Sequence, residues 1–140
     1  SMSEIVGSAG SKSGVIGQTE LDYEEGNWTP TFSNTHGTHA PVGRYIKIGK
    51  IVHCWGWILT QSGTSGTAFG GLPFTSASSN TVGNAQGAGC TGYQTTSTTY
   101  SQFGIYIGNG GKAFYFRYQS NDVDFAADKQ AGFYLTYRVD

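Results

Sequence analysis

The stretch Tyr45–Leu59, YIKIGKIVHCWGWIL, leaves its part of the chain little choice but β-structure. A short extended piece, Tyr45–Ile48, turns at Gly49–Lys50 and runs on from Ile51 to Leu59. Successive strand residues point to opposite faces. One face then carries Val52, Cys54, Gly56 and Ile58, small and apolar as a packed core requires. The other carries Ile51, His53, Trp55, Trp57 and Leu59. That second face is unusual, because tryptophan combines a large apolar ring with an N–H that wants a partner.

The same period of two returns in the last third. Gln102–Ile107 sets Phe103, Ile105 and Ile107 against Gly104 and Tyr106; Lys112–Gln119 sets Phe114, Phe116 and Tyr118 against Tyr115 and Arg117. Gly132–Val139 sets Phe133, Leu135, Tyr137 and Val139 against Tyr134, Thr136 and Arg138. Asn109–Gly110–Gly111 is a hairpin signal, Ser120–Asn121–Asp122 reads as a second turn, and a weak strand is expected over about 84–93. Ala126–Ala131 could form one helical turn. No segment sustains a 3.6-residue hydrophobic period. Glycine is 22 of 140 residues and aromatics are 14 %, poor for helices and good for strands and turns. The expectation is an all-β domain over 27–140, an antiparallel β-sandwich of roughly seven to nine strands. Its inward set is Val52, Cys54, Ile58, Phe103, Ile105, Ile107, Phe114, Phe116, Tyr118, Phe133, Leu135, Tyr137 and Val139. Ser1–Met2 reads as an expression remnant and 3–26 as a linker or arm, Gly/Ser-rich up to about residue 19 and acidic after it. Pro30 removes a ladder donor and places its strand at an edge; Asn34–Gly43 reads as a loop.

Charge narrows the function classes. With a net charge of −1 and only 12 % charged residues, the chain lacks the basic footprint that nucleic acid requires. No apolar run is long enough for a transmembrane helix, and no signal peptide is visible. Cys54 and Cys90 read as two buried free thiols.

The faces opposite the core hold His53, Trp55, Trp57, Tyr106, Tyr115, Arg117, Tyr134 and Arg138. A solvated face would be Lys, Glu, Thr and Ser; contiguous exposed aromatics imply a partner. That partner is a second copy of the chain, since interface cores favour aromatics and Arg, or a sugar stacked on Trp and Tyr. Otherwise the faces are inverted or a loop covers the second one.

Catalytic signals are weak. His36, His39 and His53 lack the spacing and company of a zinc site, and neither a G-x-S-x-G elbow nor a phosphate loop is present. Paired carboxylates could come from Asp22, Glu24 and Glu25 with Asp122 and Asp124, but nothing fixes their geometry. The expectation is a protein without catalytic residues, metal or cofactor.

Three pieces in order carry a resemblance: LDYEEGNWTPTF (Leu21–Phe32), GRYIKIGKIVHCWGWI (Gly43–Ile58) and GLPFTS (Gly71–Ser76). With the closing GFYLTYRVD (Gly132–Asp140), the chain resembles the C-terminal module of bacteriophage tail fibre, tailspike and related virion proteins. The resemblance covers about 21–76 well and the last strand loosely. Trp55 and Trp57 stand where the family pattern tends to small or polar residues. The resemblance implies a jelly-roll-like β-sandwich in a homotrimer, made in the host cytoplasm and carried on the virion behind a fibre or spike shaft. It implies host attachment by glycan binding, or a trimerisation cap without ligand; a glycan hydrolase is the third alternative.

Overall fold

The computed structural model describes residues 22–32, 41–60, 67–78, 87–95, 103–119, 121–123 and 129–140. The expected Gly/Ser arm and the His36 and His39 loop lie outside them. Ten strands are described: β1 (Tyr23–Trp28), β2 (Thr31–Phe32), β3 (Val42–Ile48), β4 (Ile51–Leu59), β5 (Phe69–Gly70), β6 (Gly87–Thr95), β7 (Gly104–Ile107), β8 (Phe114–Tyr118), β9 (Asn121–Asp122) and β10 (Gln130–Arg138). They form one all-antiparallel sheet, with no helix among the described residues. Its order is β1-β3-β4-β10-β6-β7-β8-β5-β2, with β9 hairpinned onto β8.

That order dictates the shape. β1 and β2 stand at opposite ends of the sheet, yet only Thr29 and Pro30 join them. Three Cα–Cα steps reach about 11 Å at most. The two ends must therefore lie close together, which a sheet this wide achieves by curling strongly into a half-barrel. Pro30, which has no N–H to offer a ladder, sits at the crossing between the two edge strands.

Ring contacts report the curl directly. On a flat sheet β8 and β10, with β6 and β7 between them, would lie about 14 Å apart. Instead the Phe133 ring centroid is 5.4 Å from Phe114 and 5.6 Å from Phe116. Trp28, at the end of β1, meets Phe114 and Phe133 edge-on, each at 6.0 Å, and donates its indole N–H to the Arg44 carbonyl at 3.1 Å. Phe32 stacks on Phe69 at 4.6 Å, carrying the aromatic core to the β2–β5 edge.

The inward positions expected from alternation line this core, with Tyr118 half-buried at its margin. The alternation did not reveal Trp28, Phe32, Phe69 and Leu72, which are also buried. At Gly87 and Gly89 the inward side of β6 has no room for a side chain. A Cβ on Gly89 would fall onto the Leu135 backbone, and one on Gly87 would press Ile107 at 2.7 Å. Between Gly132 and Phe133 the register with β6 shifts, leaving one extra residue on that strand, a β-bulge that adds to the local twist.

Several expectations are corrected. The sheet begins at Tyr23, ahead of the boundary at Asn27, because the YEEGNW segment pairs along β3. β3 starts at Val42, inside the expected Asn34–Gly43 loop. The strand expected over about 84–93 is β6 wherever that range is described, and it continues to Thr95. Asn121 and Asp122 pair with Tyr118 and Arg117, so the turn lies one step earlier, with Gln119 at a positive φ of 57°. The helical turn expected over Ala126–Ala131 gives way at its described end to β10. Cys54 is buried as expected, but Cys90 points outward and is exposed; both thiols are free.

Candidate functional site

The convex face is best followed along rows that cross the strands, which sit about 4.8 Å apart. One row runs Asn27, Arg44, Trp55, Tyr134, Cys90, Gly104, Arg117. The next runs Glu25, Ile46, His53, Thr136, Ala88, Tyr106, Tyr115. A third sets Val42 against Trp57 and Gly132, and a fourth Tyr23, Ile48, Ile51 and Arg138. Each expected outward residue falls on this face. Trp55 is 40 % exposed and Tyr134 46 %.

The face divides in two. On β4 and β10, Trp55 lies directly opposite Tyr134, with His53 and Trp57 to either side. On β7 and β8, Tyr106 pairs with Tyr115 at 6.2 Å, and the Arg117 guanidinium lies 4.8 Å over the Tyr106 ring. Arg117 also forms an ion pair with Asp122 at 2.5 Å. Between the groups runs β6, whose outward residues Ala88 and Cys90 are small. Arg138 stands near the end of β10, held toward Asp140 at 3.5 Å. It borders a depression of about 540 Å³ that His53, Thr136 and Ala88 also line.

The aromatic group around Trp55 is set by hydrogen bonds. His53 Nδ1 lies 2.8 Å from the Tyr134 hydroxyl and 3.2 Å from that of Thr136, which also donates to the Val52 carbonyl. Trp57 donates its indole N–H to Gln130 at 3.2 Å. Among the described residues nothing accepts the indole N–H of Trp55.

Beside Trp55 the face dips. A depression of about 340 Å³ has Val42, Arg44, Trp55 and Trp57 at its corners, and the row Gly43, Gly56, Phe133 runs across it. Both glycines are required from beneath: a Cβ on Gly43 would meet the Trp28 indole at 2.5 Å, and one on Gly56 the Val42 carbonyl at 2.8 Å. Sequence reasoning missed Val42 and Arg44 here. The signal was available, since V-G-R-Y-I-K-I alternates Val42, Arg44, Ile46 and Ile48 against Gly43, Tyr45 and Lys47.

Among the described residues the candidate carboxylates have other partners. Asp22 pairs with Lys47 at 3.0 Å, while Glu24 and Glu25 each accept a tyrosine hydroxyl at 2.6 Å, from Tyr45 and Tyr23. Asp140 accepts the backbone N–H and hydroxyl of Ser78, which hold its carboxyl below the usual range. Asp124 lies outside the described residues. Among the described residues no three His, Cys, Asp or Glu side chains cluster as metal ligands would. No family model, curated protein or solved structure matches the chain.

Proposed function

We propose that this domain is the non-enzymatic C-terminal module of a bacteriophage tail fibre or tailspike, and that it attaches the virion to host surface polysaccharide. The observation that carries the binding part is the cross-strand pairing of Trp55 with Tyr134, two exposed aromatic residues on one face with a depression beside Trp55. Sugars present apolar ring faces that stack on such aromatics while nearby polar groups take the hydroxyls. The tail assignment rests on the resemblance of the YEEGNW, GRYIKIG and GLPF segments. On that reading the curled sheet is a jelly-roll-like β-sandwich in a homotrimer, held at the virion end of a shaft.

The fourth row supports self-association beside sugar binding. Tyr23, Ile48 and Ile51 are all exposed at one end of the face, beyond His53 and away from Trp57. Three weak sugar sites on one trimer would gain avidity by simultaneous engagement.

The test is an array of bacterial surface polysaccharides probed with the intact domain and with Trp55→Ala. The expected result is retention of some polysaccharides by the parent domain and loss of that retention in the variant. No binding to any polysaccharide by a domain that is a trimer in light scattering would favour the ligand-free cap, and unchanged binding in the variant would overturn Trp55 as the sugar platform. Release of reducing ends would make the domain a hydrolase.

A further inference from the structure

We infer that the saccharide taken by this face is anionic, and that Arg44 holds its negative group next to the Trp55 ring. This inference rests on the glycan reading above and names the class of sugar that reading leaves open.

The geometry begins with placement. Arg44 is the cross-strand partner of Trp55 on one side and of Asn27 on the other. It borders two depressions at once. One, of about 340 Å³, holds Trp55 and Trp57; the other, of about 420 Å³, is lined by Asn27, Thr29 and Pro41. Val42, Gly43 and Arg44 form the ridge they share. Ligand pockets commonly run from about 300 Å³ upward, so each depression suits a short piece of chain and the two in series suit an oligosaccharide. The aromatic side would take the apolar face of one ring. The Asn27 and Thr29 side offers amide and hydroxyl groups for the next, and a substituent between them would lie over the guanidinium.

Charge selects the class. Every described carboxylate is already engaged: Asp22 with Lys47, Glu24 and Glu25 with tyrosine hydroxyls, Asp122 with Arg117, Asp140 with Ser78 and Arg138. None of these contacts involves the Arg44 side chain, whose guanidinium has no acidic partner among the described residues. Glu25, the nearest acid by register, lies one row away with its carboxylate taking the Tyr23 hydroxyl. A guanidinium presents a planar fork of donors that matches carboxylate or phosphate oxygens two at a time. The Trp55 indole N–H, without an acceptor among the described residues, is a further donor on a residue lining the same depression. A neutral sugar would use the rings and leave this fork with water.

The experiment uses the same polysaccharide array in three forms: untreated, carboxyl-reduced and dephosphorylated. The intact domain, Arg44→Gln, Arg44→Lys and Trp55→Ala are compared on it, with thermal midpoints as the folding control. The expected result is that retained polysaccharides are acidic and that one of the two treatments abolishes their binding, which also tells carboxylate from phosphate. Arg44→Gln should weaken retention by about tenfold or more with an unchanged midpoint, the scale of losing charge-assisted hydrogen bonds, and Arg44→Lys should fall between. Retention that survives both treatments, or that Arg44→Gln leaves intact while Trp55→Ala removes it, overturns the anionic class and leaves glycan binding standing. Retention of nothing overturns both, and retention indifferent to Trp55→Ala and Arg44→Gln overturns the assignment of the sugar to this face.

Discussion

At the scale of single residues, two buried polar groups decide how this fold responds to chemistry. Burial pushes the Cys54 thiol from its ordinary value near 9 up to about 12. An unfolded chain would lose that proton near pH 9 while the folded one keeps it, so above pH 9 the unfolded state binds fewer protons. The contribution is fully present below pH 9 and declines as pH rises toward 12, by up to about 1.4 kcal/mol per pH unit. Burial also raises the Tyr137 hydroxyl, which steepens the decline above pH 10. Urea unfolding at pH 8 and pH 10 should show this loss, and Cys54→Ala should lessen it; equal pH sensitivity in the variant would show that the thiol is not its source. A thiol reagent should modify exposed Cys90 at once and Cys54 only on unfolding. Tyr137 carries a second test. Its hydroxyl donates to the Phe74 carbonyl at 2.9 Å and accepts the Phe74 N–H at 3.1 Å, fastening the 72–78 segment to β10. Tyr137→Phe removes both bonds and should cost about 1–3 kcal/mol in urea denaturation.

At the scale of strands, β6 is the element that packs closest against its neighbours, through bare backbone at Gly87 and Gly89. Gly89→Val would drive a side chain into the Tyr134 carbonyl and the Leu135 backbone, and should destabilise the domain by about 3 kcal/mol or prevent folding. Gly104→Ala is the control, because a Cβ there finds only the Arg117 carbonyl, at 3.8 Å, and its midpoint should hardly change. A Gly89→Val variant as stable as the parent would mean that β6 does not need bare backbone at Gly89. Strands such as β4, β7, β8 and β10 were legible in sequence because each lays one face on the core, so the period of two is written out residue by residue. Trp28, Phe32, Phe69 and Leu72 were not, because they sit at a strand end, in two-residue strands or, for Leu72, outside any strand, where no alternation can build up. Arg44 was missed for a related reason: Pro41 and Gly43 make the start of β3 look like loop, which hid the Val42–Arg44 half of the depression. The pairing of β4 with β10 is a relation between distant segments, and nothing local in either one specifies its neighbour.

At the scale of the molecule, the exposed row Tyr23, Ile48, Ile51 separates assembly from recognition. If this end of the face joins copies of the chain, Ile48→Lys with Ile51→Lys should convert a trimer to a monomer in light scattering. Each monomer should keep its Trp55 face, so binding to immobilised polysaccharide should fall by the lost avidity and not to zero. A parent domain that is monomeric at micromolar concentration would remove self-association from the proposal.

The position of β10 has a consequence for how the domain is made. It is the last of the described strands along the chain, yet it pairs on both sides, with β4 and with β6. Until the ribosome has released Gln130–Arg138, those two strands each present an open row of backbone donors and acceptors facing a gap. A chain interrupted before that point cannot seal its own sheet and would expose two edges ready to pair with any extended segment nearby. Closure of this sheet thus waits on β10, and a fragment ending before Gln130 would be marked for aggregation or degradation by its own unpaired edges.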